Sequence, residues 1–239
     1  KREAGGRVEY YRPDREAKIL NRLKNANQGP LTGKTVVGLM REIISVCLSL
    51  EKVLKVAYLG PEGTYTHAAL REHFGTAIES VSCKDISEVF KLVEADRSEY
   101  GVVPIENSSG GSVNETLDCL SATKAKIIGE VTIPIRHQLL SKAENLASIL
   151  KIYAHEQALL QCSVWLRENL SGIELIRASS NAAAAKKAEE DKKAAAIASM
   201  DAAEIYSLEV LASNIEDSVG NSTRFLVLGR EPPGPTGAD

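Results

Sequence analysis

The feature that most narrows what this chain can fold into is an alternation that starts at Val56. Apolar runs at 56–59, 77–82, 101–105, 127–135, 152–154, 173–176 and 195–198 are interleaved with helical patterns at 66–74, 85–95, 112–120, 157–170 and 181–191. Strands that are apolar along nearly their whole length have no face to give to water. The pattern therefore predicts an α/β fold, with mostly parallel sheets covered by helices on both sides. At 239 residues the chain is long for one small domain and comfortable for two.

Residues 1–54 break the pattern, with no convincing strand. Pro13, with Asp14 and Glu16 after it, marks a helix start. The first turn tolerates the missing N–H of proline, and the helix dipole favours acids there. Gly29-Pro30 should end this helix, glycine through a left-handed cap and proline because it cannot continue. A second helix is expected over 34–54. Its residues Val36, Met40, Ile43, Cys47 and Leu50 recur every three or four positions, while Val37, Ile44 and Leu48 lie on another flank. An arc that wide must bury more than one face. Two short helices cannot cover it, which implies a missing segment or a second subunit; the expectation is a homodimer through residues 15–54.

Composition excludes several classes of function. A net charge of -3 leaves no basic surplus for nucleic acid, and 5% aromatic residues weaken any base-stacking reading. No run approaches the roughly 20 apolar residues of a membrane span, and no secretion signal opens the chain, so a cytoplasmic setting is expected. Cys47, Cys83, Cys119 and Cys162 form no CxxC or Cys/His cluster and sit in apolar contexts, as buried small hydrophobes do. His67, His73, His137 and His155 are equally dispersed, and no metal site is expected.

Three strand-to-helix loops have the chemistry to hold an anion. In Gly60-Pro61-Glu62-Gly63-Thr64, two glycines permit a tight turn and hydroxyls stand at the mouth of a helix. Free N–H groups and the positive helix end suit a carboxylate or phosphate, although a simple turn capped by Thr64 or Thr66 would look the same. Pro104-Ile105-Glu106-Asn107-Ser108-Ser109-Gly110-Gly111-Ser112-Val113 offers neutral donors at the carboxyl end of a strand, where open α/β sheets bind ligands. In His155-Glu156-Gln157-Ala158-Leu159-Leu160-Gln161-Cys162, Gln157 and Gln161 share one helix face. Finally, Thr223-Arg224-Phe225 opens a strand in which Thr223 and Phe225 should point one way and Arg224 the other.

Taken together and in this order, these four segments resemble the prephenate dehydratases, over residues 55–231. The resemblance implies a two-lobed fold like a type II periplasmic binding protein, with the site in the cleft. The first lobe would be discontinuous (55–135 plus 215–231) and the second would comprise 136–214. The opening 1–54 resembles the second and third helices of a helical chorismate mutase, with Lys1, Arg15, Glu16 and Glu51 as remnants of that site and Cys47 near it. The mutase's first helix is missing from the match. The Pro/Gly-rich 232–239 resembles a linker toward a phenylalanine-sensing ACT domain, so the chain reads as a piece of a longer bifunctional protein.

The implied reaction removes the ring carboxylate and the 4-hydroxyl of prephenate to give phenylpyruvate. It needs no cofactor, because aromatisation supplies the driving force. The resemblance makes Thr223 the donor to the departing hydroxyl, with Asn107 and Gln161 as further catalytic groups. Thr64, Glu106, Ser108, Gly111, Ser112, Arg224 and Phe225 would bind substrate; Arg224 either neutralises a carboxylate or braces its loop. Ala154 and Asn181 depart from the serine and threonine common in relatives, so the second lobe's side of the cleft has fewer hydroxyls. Two alternatives stand beside this reading: a two-lobed small-anion binding module without catalysis, since fold does not settle function, and an active chorismate mutase, which the missing first helix disfavours.

Overall fold

The structure, a computed structural model, describes residues 11–232 and 234. Helices α1 (Pro13–Ala26) and α2 (Gly33–Ser49) come first. Proline at the first position starts α1, and Thr32 caps α2 by accepting from the Thr35 N–H. The chain between them turns without a left-handed Gly29: Asn27 organises it, accepting from Gly29 N and donating to Leu31 O. Helix α2 stops at Ser49, short of the expected 54. Of its two apolar flanks, the one with Leu48 packs against the core, while Ile43, Val46 and Leu50 stay exposed.

The first sheet is built from β1 (Lys55–Leu59), α3 (Tyr65–Phe74), β2 (Glu79–Cys83), α4 (Ile86–Glu94), β3 (Tyr100–Asn107), β4 (Gly111–Ser112), α5 (Asn114–Ala122) and β5 (Lys126–Pro134). The second is built from β6 (Gln138–Ser141), β7 (Lys151–Ala154), α6 (Glu156–Gln161), α7 (Ser163–Asn169), β8 (Glu174–Arg177), α8 (Asn181–Glu189), β9 (Ala194–Ala198), α9 (Met200–Ile205) and β10 (Glu209–Ala212). Strand β11 (Ser222–Gly229) then rejoins the first sheet, giving the orders β2-β1-β3-β11-β5 and β10-β6-β9-β7-β8. This is a two-lobed α/β architecture, each lobe built on one sheet. The sheets are mixed rather than mostly parallel. β1–β3 and β7–β9 hold the parallel pairs, whereas β11 and β6 run against their neighbours because they carry the chain into and out of each sheet.

Both faces of each sheet are covered, as the apolar strands require. Tyr58, Phe225 and Val227 pack toward α3, while Ala57, Leu226 and Leu228 pack toward α4. In the second sheet all five residues of β9 are buried alanine or isoleucine, matched by buried Ala184, Ala185 and Ala188 of α8. Small side chains on both sides bring this helix close to its strand. The expected helix over 157–170 is two helices, broken at Cys162, because Asp217 accepts from the N–H groups of Val164 and Trp165 and so starts α7 afresh. Cys83 and Cys162 are buried as expected, but Cys47 lies exposed on α2. Among the described residues no helix is long and apolar enough to cross a membrane, and no group of His, Cys, Asp and Glu could hold a metal ion.

Candidate active site

Thr223, the second residue of β11, lies directly opposite Asn107, the last residue of β3. The Asn107 side chain is fixed at both ends. Its Oδ1 accepts from Ser109 N and Gly110 N at 2.9 Å each, which settles the orientation of the amide. Its Nδ2 then donates to Thr223 Oγ1 at 2.7 Å and to Asn221 Oδ1 at 3.1 Å. Thr223 is buried, and among the described residues the only hydrogen bond of its hydroxyl is the one it accepts. A hydroxyl that accepts keeps its own proton free to donate, and the bond it accepts polarises that proton. Ser108 joins the same wall through Asn221 Oδ1 and Ser222 N. Gly111, at φ 78°, closes the turn into Ser112 of β4; both are exposed.

The Gly60–Thr64 loop lies at the same carboxyl edge of the first sheet. Gly60 is pressed against β2, where a Cβ would meet Ser82 Oγ at 1.8 Å. Thr64 caps α3, accepting from His67 N, and its hydroxyl turns back to Pro61 O at 3.0 Å. His67 sits under the loop, stacked on Tyr58; its Nδ1 accepts from Gly63 N, and burial lowers its pKa and favours the neutral ring that this bond needs. The two ends of α9, from the second lobe, meet this loop. Ser199 Oγ donates to Gly63 O at 3.1 Å, and Tyr206 Oη donates to Glu62 O at 3.1 Å.

Gln161 ends α6 at the carboxyl edge of the second sheet, with its Oε1 2.8 Å from His137 Nε2. His137 stands on the passage from β5 to β6, beside the segment that returns from β10. Glu216, on that return, accepts from Arg136 Nη1 at 2.8 Å and from His137 N at 2.9 Å. Burial pushes the Glu216 carboxyl up, but these bonds outweigh it and hold its pKa below the usual value. Tyr65, next to Thr64, donates to Arg136 O at 2.6 Å. Hydrogen bonds thus run from the Thr64 loop through the crossover to Gln161. Gln157 Nε2 lies 3.1 Å from where a Cβ on Gly110 would sit, which brings the second wall against the Asn107 turn as well.

Other expected residues are placed differently. Arg224 and Glu106 form a register pair on the face opposite Thr223 and Asn107. Arg224 is held there by Glu106 and Glu130, at 3.0 Å each, and these two carboxylates raise its pKa; this is a brace. Phe225 is 1% exposed in the core, so it anchors β11 and presents nothing to the cleft. Asn181 Oδ1 takes the His155 N–H at 3.0 Å, so this amide holds the start of the His155 loop. Of the mutase positions, Arg15, Cys47 and Glu51 are exposed, Glu16 is half-buried beside Arg41 at 3.8 Å, and Lys1 lies outside the described residues. Sequence reading passed over His137, Tyr65 and Glu216. The one signal of His137 and Glu216 was adjacency to the expected crossover points, and that of Tyr65 was its place beside Thr64.

A separate cleft of about 440 Å³ lies between α2, α3, β5 and α9. Lys34 and Arg71 in its walls are outnumbered by Glu42, Glu72, Asp201 and Glu204, which makes it a poor home for a dianion.

Residues 56–233 match the prephenate dehydratase family, and residues 1–52 match chorismate mutase type II. A bifunctional chorismate mutase/prephenate dehydratase from Neisseria gonorrhoeae is 45% identical over 99% of this chain and 66% of its own length. Its counterpart from Pseudomonas aeruginosa is 47% identical over 96% of this chain and 63% of its own length. The chain therefore spans just under two thirds of these curated relatives. The solved prephenate dehydratase of Arthrobacter aurescens, in complex with L-Phe, is 34% identical, with a TM-score of 0.68 over 76% of this chain and 61% of that one. With well over half of its residues inside the matched region, the chain belongs to the prephenate dehydratase family.

Proposed function

We propose that this chain converts prephenate to phenylpyruvate, with loss of water and carbon dioxide, in a cleft between the lobes 55–135 plus 215–231 and 136–214. The observation that carries the reading is the Asn107–Thr223 pair: a buried hydroxyl that accepts at 2.7 Å and has its proton left to give. Hydroxide is a poor leaving group. A donor fixed beside the departing oxygen stabilises the charge that develops on it, and does so most strongly where water is excluded. A threonine hydroxyl is too weak an acid to surrender its proton outright, so its part is a strengthening hydrogen bond. Ser108, Thr64 and Gln161 would orient the substrate's oxygens as neutral groups. Neutral donors suit a carboxylate that must leave as carbon dioxide, because a tight ion pair would hold it back. Aromatisation drives the step, with no metal or organic cofactor.

We also propose a cytoplasmic homodimer. The support for the dimer is the uncovered flank of α2, where Ile43, Val46 and Leu50 are 54%, 50% and 84% exposed. Light scattering at micromolar concentration tests it, and a monomer would refute it.

The deciding assay follows phenylpyruvate from prephenate, beside a parallel chorismate assay. Turnover of prephenate supports the reading. Tight binding without turnover would instead mark a binding module, and turnover of chorismate alone would mark a mutase.

A further inference from the structure

We infer that His137 is a positioning residue that holds the Gln161 amide with its NH2 group toward the cleft. The kinetic part of the argument rests on the dehydratase reading; the rest is geometry. His137 is 2% exposed, and its ring touches both walls, with Nε2 2.8 Å from Gln161 Oε1 and Nδ1 3.4 Å from Tyr65 Oη. Tyr65 has committed its single proton to Arg136 O at 2.6 Å and has none for the ring. A neutral imidazole carries one N–H, and the short contact claims it, so Nε2–H donates to Oε1. Gln161 then turns both amide protons away from the ring, and a dianionic substrate meets donors instead of a carbonyl oxygen.

The ring is held in place by the crossover itself. His137 O accepts from Ile215 N at 2.9 Å, and His137 N donates to Glu216. Burial keeps the imidazole neutral against the pull of Gln161 and Glu216. The residue therefore sits where the two lobes join and acts on the site only through Gln161.

A double-mutant cycle on the full chain tests this. His137→Phe should lower kcat/KM about tenfold, the value of one well-made hydrogen bond. In a Gln161→Ala background the same change should cost less than about twofold, because nothing remains to position. His137→Gln, whose amide nitrogen can reach the place of Nε2, should recover most of the loss. Equal losses in both backgrounds, or no recovery with glutamine, would overturn the inference. A nitrogen-15 spectrum gives a readout free of catalysis: His137 should be the neutral Nε2-protonated tautomer at pH 7, and an Nδ1-protonated ring refutes the assignment. If the unaltered chain makes no phenylpyruvate, the dehydratase reading fails, and the spectrum alone decides the role of His137.

Discussion

Two of the places where this molecule takes polar side chains out of water are built in opposite ways. At the first-sheet wall of the cleft, Asn107 satisfies both ends of its amide, and Thr223, Asn221 and Ser108 share the bonds. Where α1 and α2 meet the first sheet, Arg41 Nε is buried with no hydrogen-bond partner among the described residues, and the carboxylates of Glu16 and Glu72 stand off from the guanidinium at 3.8 Å. Burial lifts the Glu16 pKa to about 7, only partly opposed by Arg41, and drops that of His73 to about 4. A saturated network fixes geometry at little cost, whereas an unsaturated one lowers stability. The cleft wall thus fixes a hydroxyl in place, whereas the helical junction holds its charges without short hydrogen bonds between them.

The largest effect should come from breaking the cleft wall at its centre. Thr223→Ala should reduce turnover by about 10²–10³, the range for removing one preorganised donor. Folding should barely change, since Asn107 Nδ2 keeps Asn221 Oδ1 at 3.1 Å and Ser222 O at 3.4 Å as acceptors. Steady-state assays and thermal melts on the same preparation check both halves. Near-normal turnover would end the assigned role.

The junction should respond in stability rather than in turnover, and with a definite sign. The folded pKa of Glu16 is raised above its unfolded value of 4.5, so its charged form costs stability at high pH, and the cost fades as pH falls from 7 toward 4.5. Glu16→Gln should therefore stabilise the protein by about 1–3 kcal/mol at pH 8 and by almost nothing at pH 4.5. His73 works the other way. Its folded pKa lies below the unfolded 6.5, so the unfolded chain takes up a proton first, and stability is lost as pH falls from 6.5 toward 4. His73→Phe should flatten that acid loss by about 1–2 kcal/mol, while giving up the 3.0 Å contact with Tyr11 Oη. Urea titrations across pH 4.5–8 separate the two, because in the unaltered chain their slopes oppose each other.

Much of the fold was legible from the strands, because an apolar run such as Val56 to Leu59 or Ala194 to Ala198 has few ways to avoid water. What escaped were β6, β10 and α9, short elements whose burial is decided by partners far along the chain. Asp217 illustrates the same limit. It ends α6 and starts α7 from more than 50 positions away, and no local pattern announces it. Within the site, Asn107 was visible because loop chemistry at a strand's carboxyl edge is a local signal, whereas Thr223, at the start of a strand, was singled out only through the family resemblance. The side of the strand that Arg224 takes, opposite Thr223, was legible from alternation, but its partners Glu106 and Glu130 were not, since they depend on the register of β11 against β3 and β5, which only pairing fixes. His137 was hidden for a third reason: an isolated histidine says nothing until its ring nitrogens have neighbours.

The weakest expected effect tests whether the second lobe's grip on the Gly60–Thr64 loop belongs with the saturated wall. Two bonds cross there, the buried Ser199–Gly63 bond and the exposed Tyr206–Glu62 bond, both at 3.1 Å. Water competes for the second of these, so Tyr206→Phe should cost about 0.5 kcal/mol or less and raise KM by less than about threefold with kcat unchanged. The Tyr206 ring still packs on Gly63, where a Cβ would lie 3.3 Å from its Cε2, so phenylalanine preserves the contact and removes the hydroxyl alone. A fall in kcat of tenfold or more in this variant would show that the exposed bond holds the loop in its working position. The saturated network would then extend across the cleft rather than stop at the first-sheet wall.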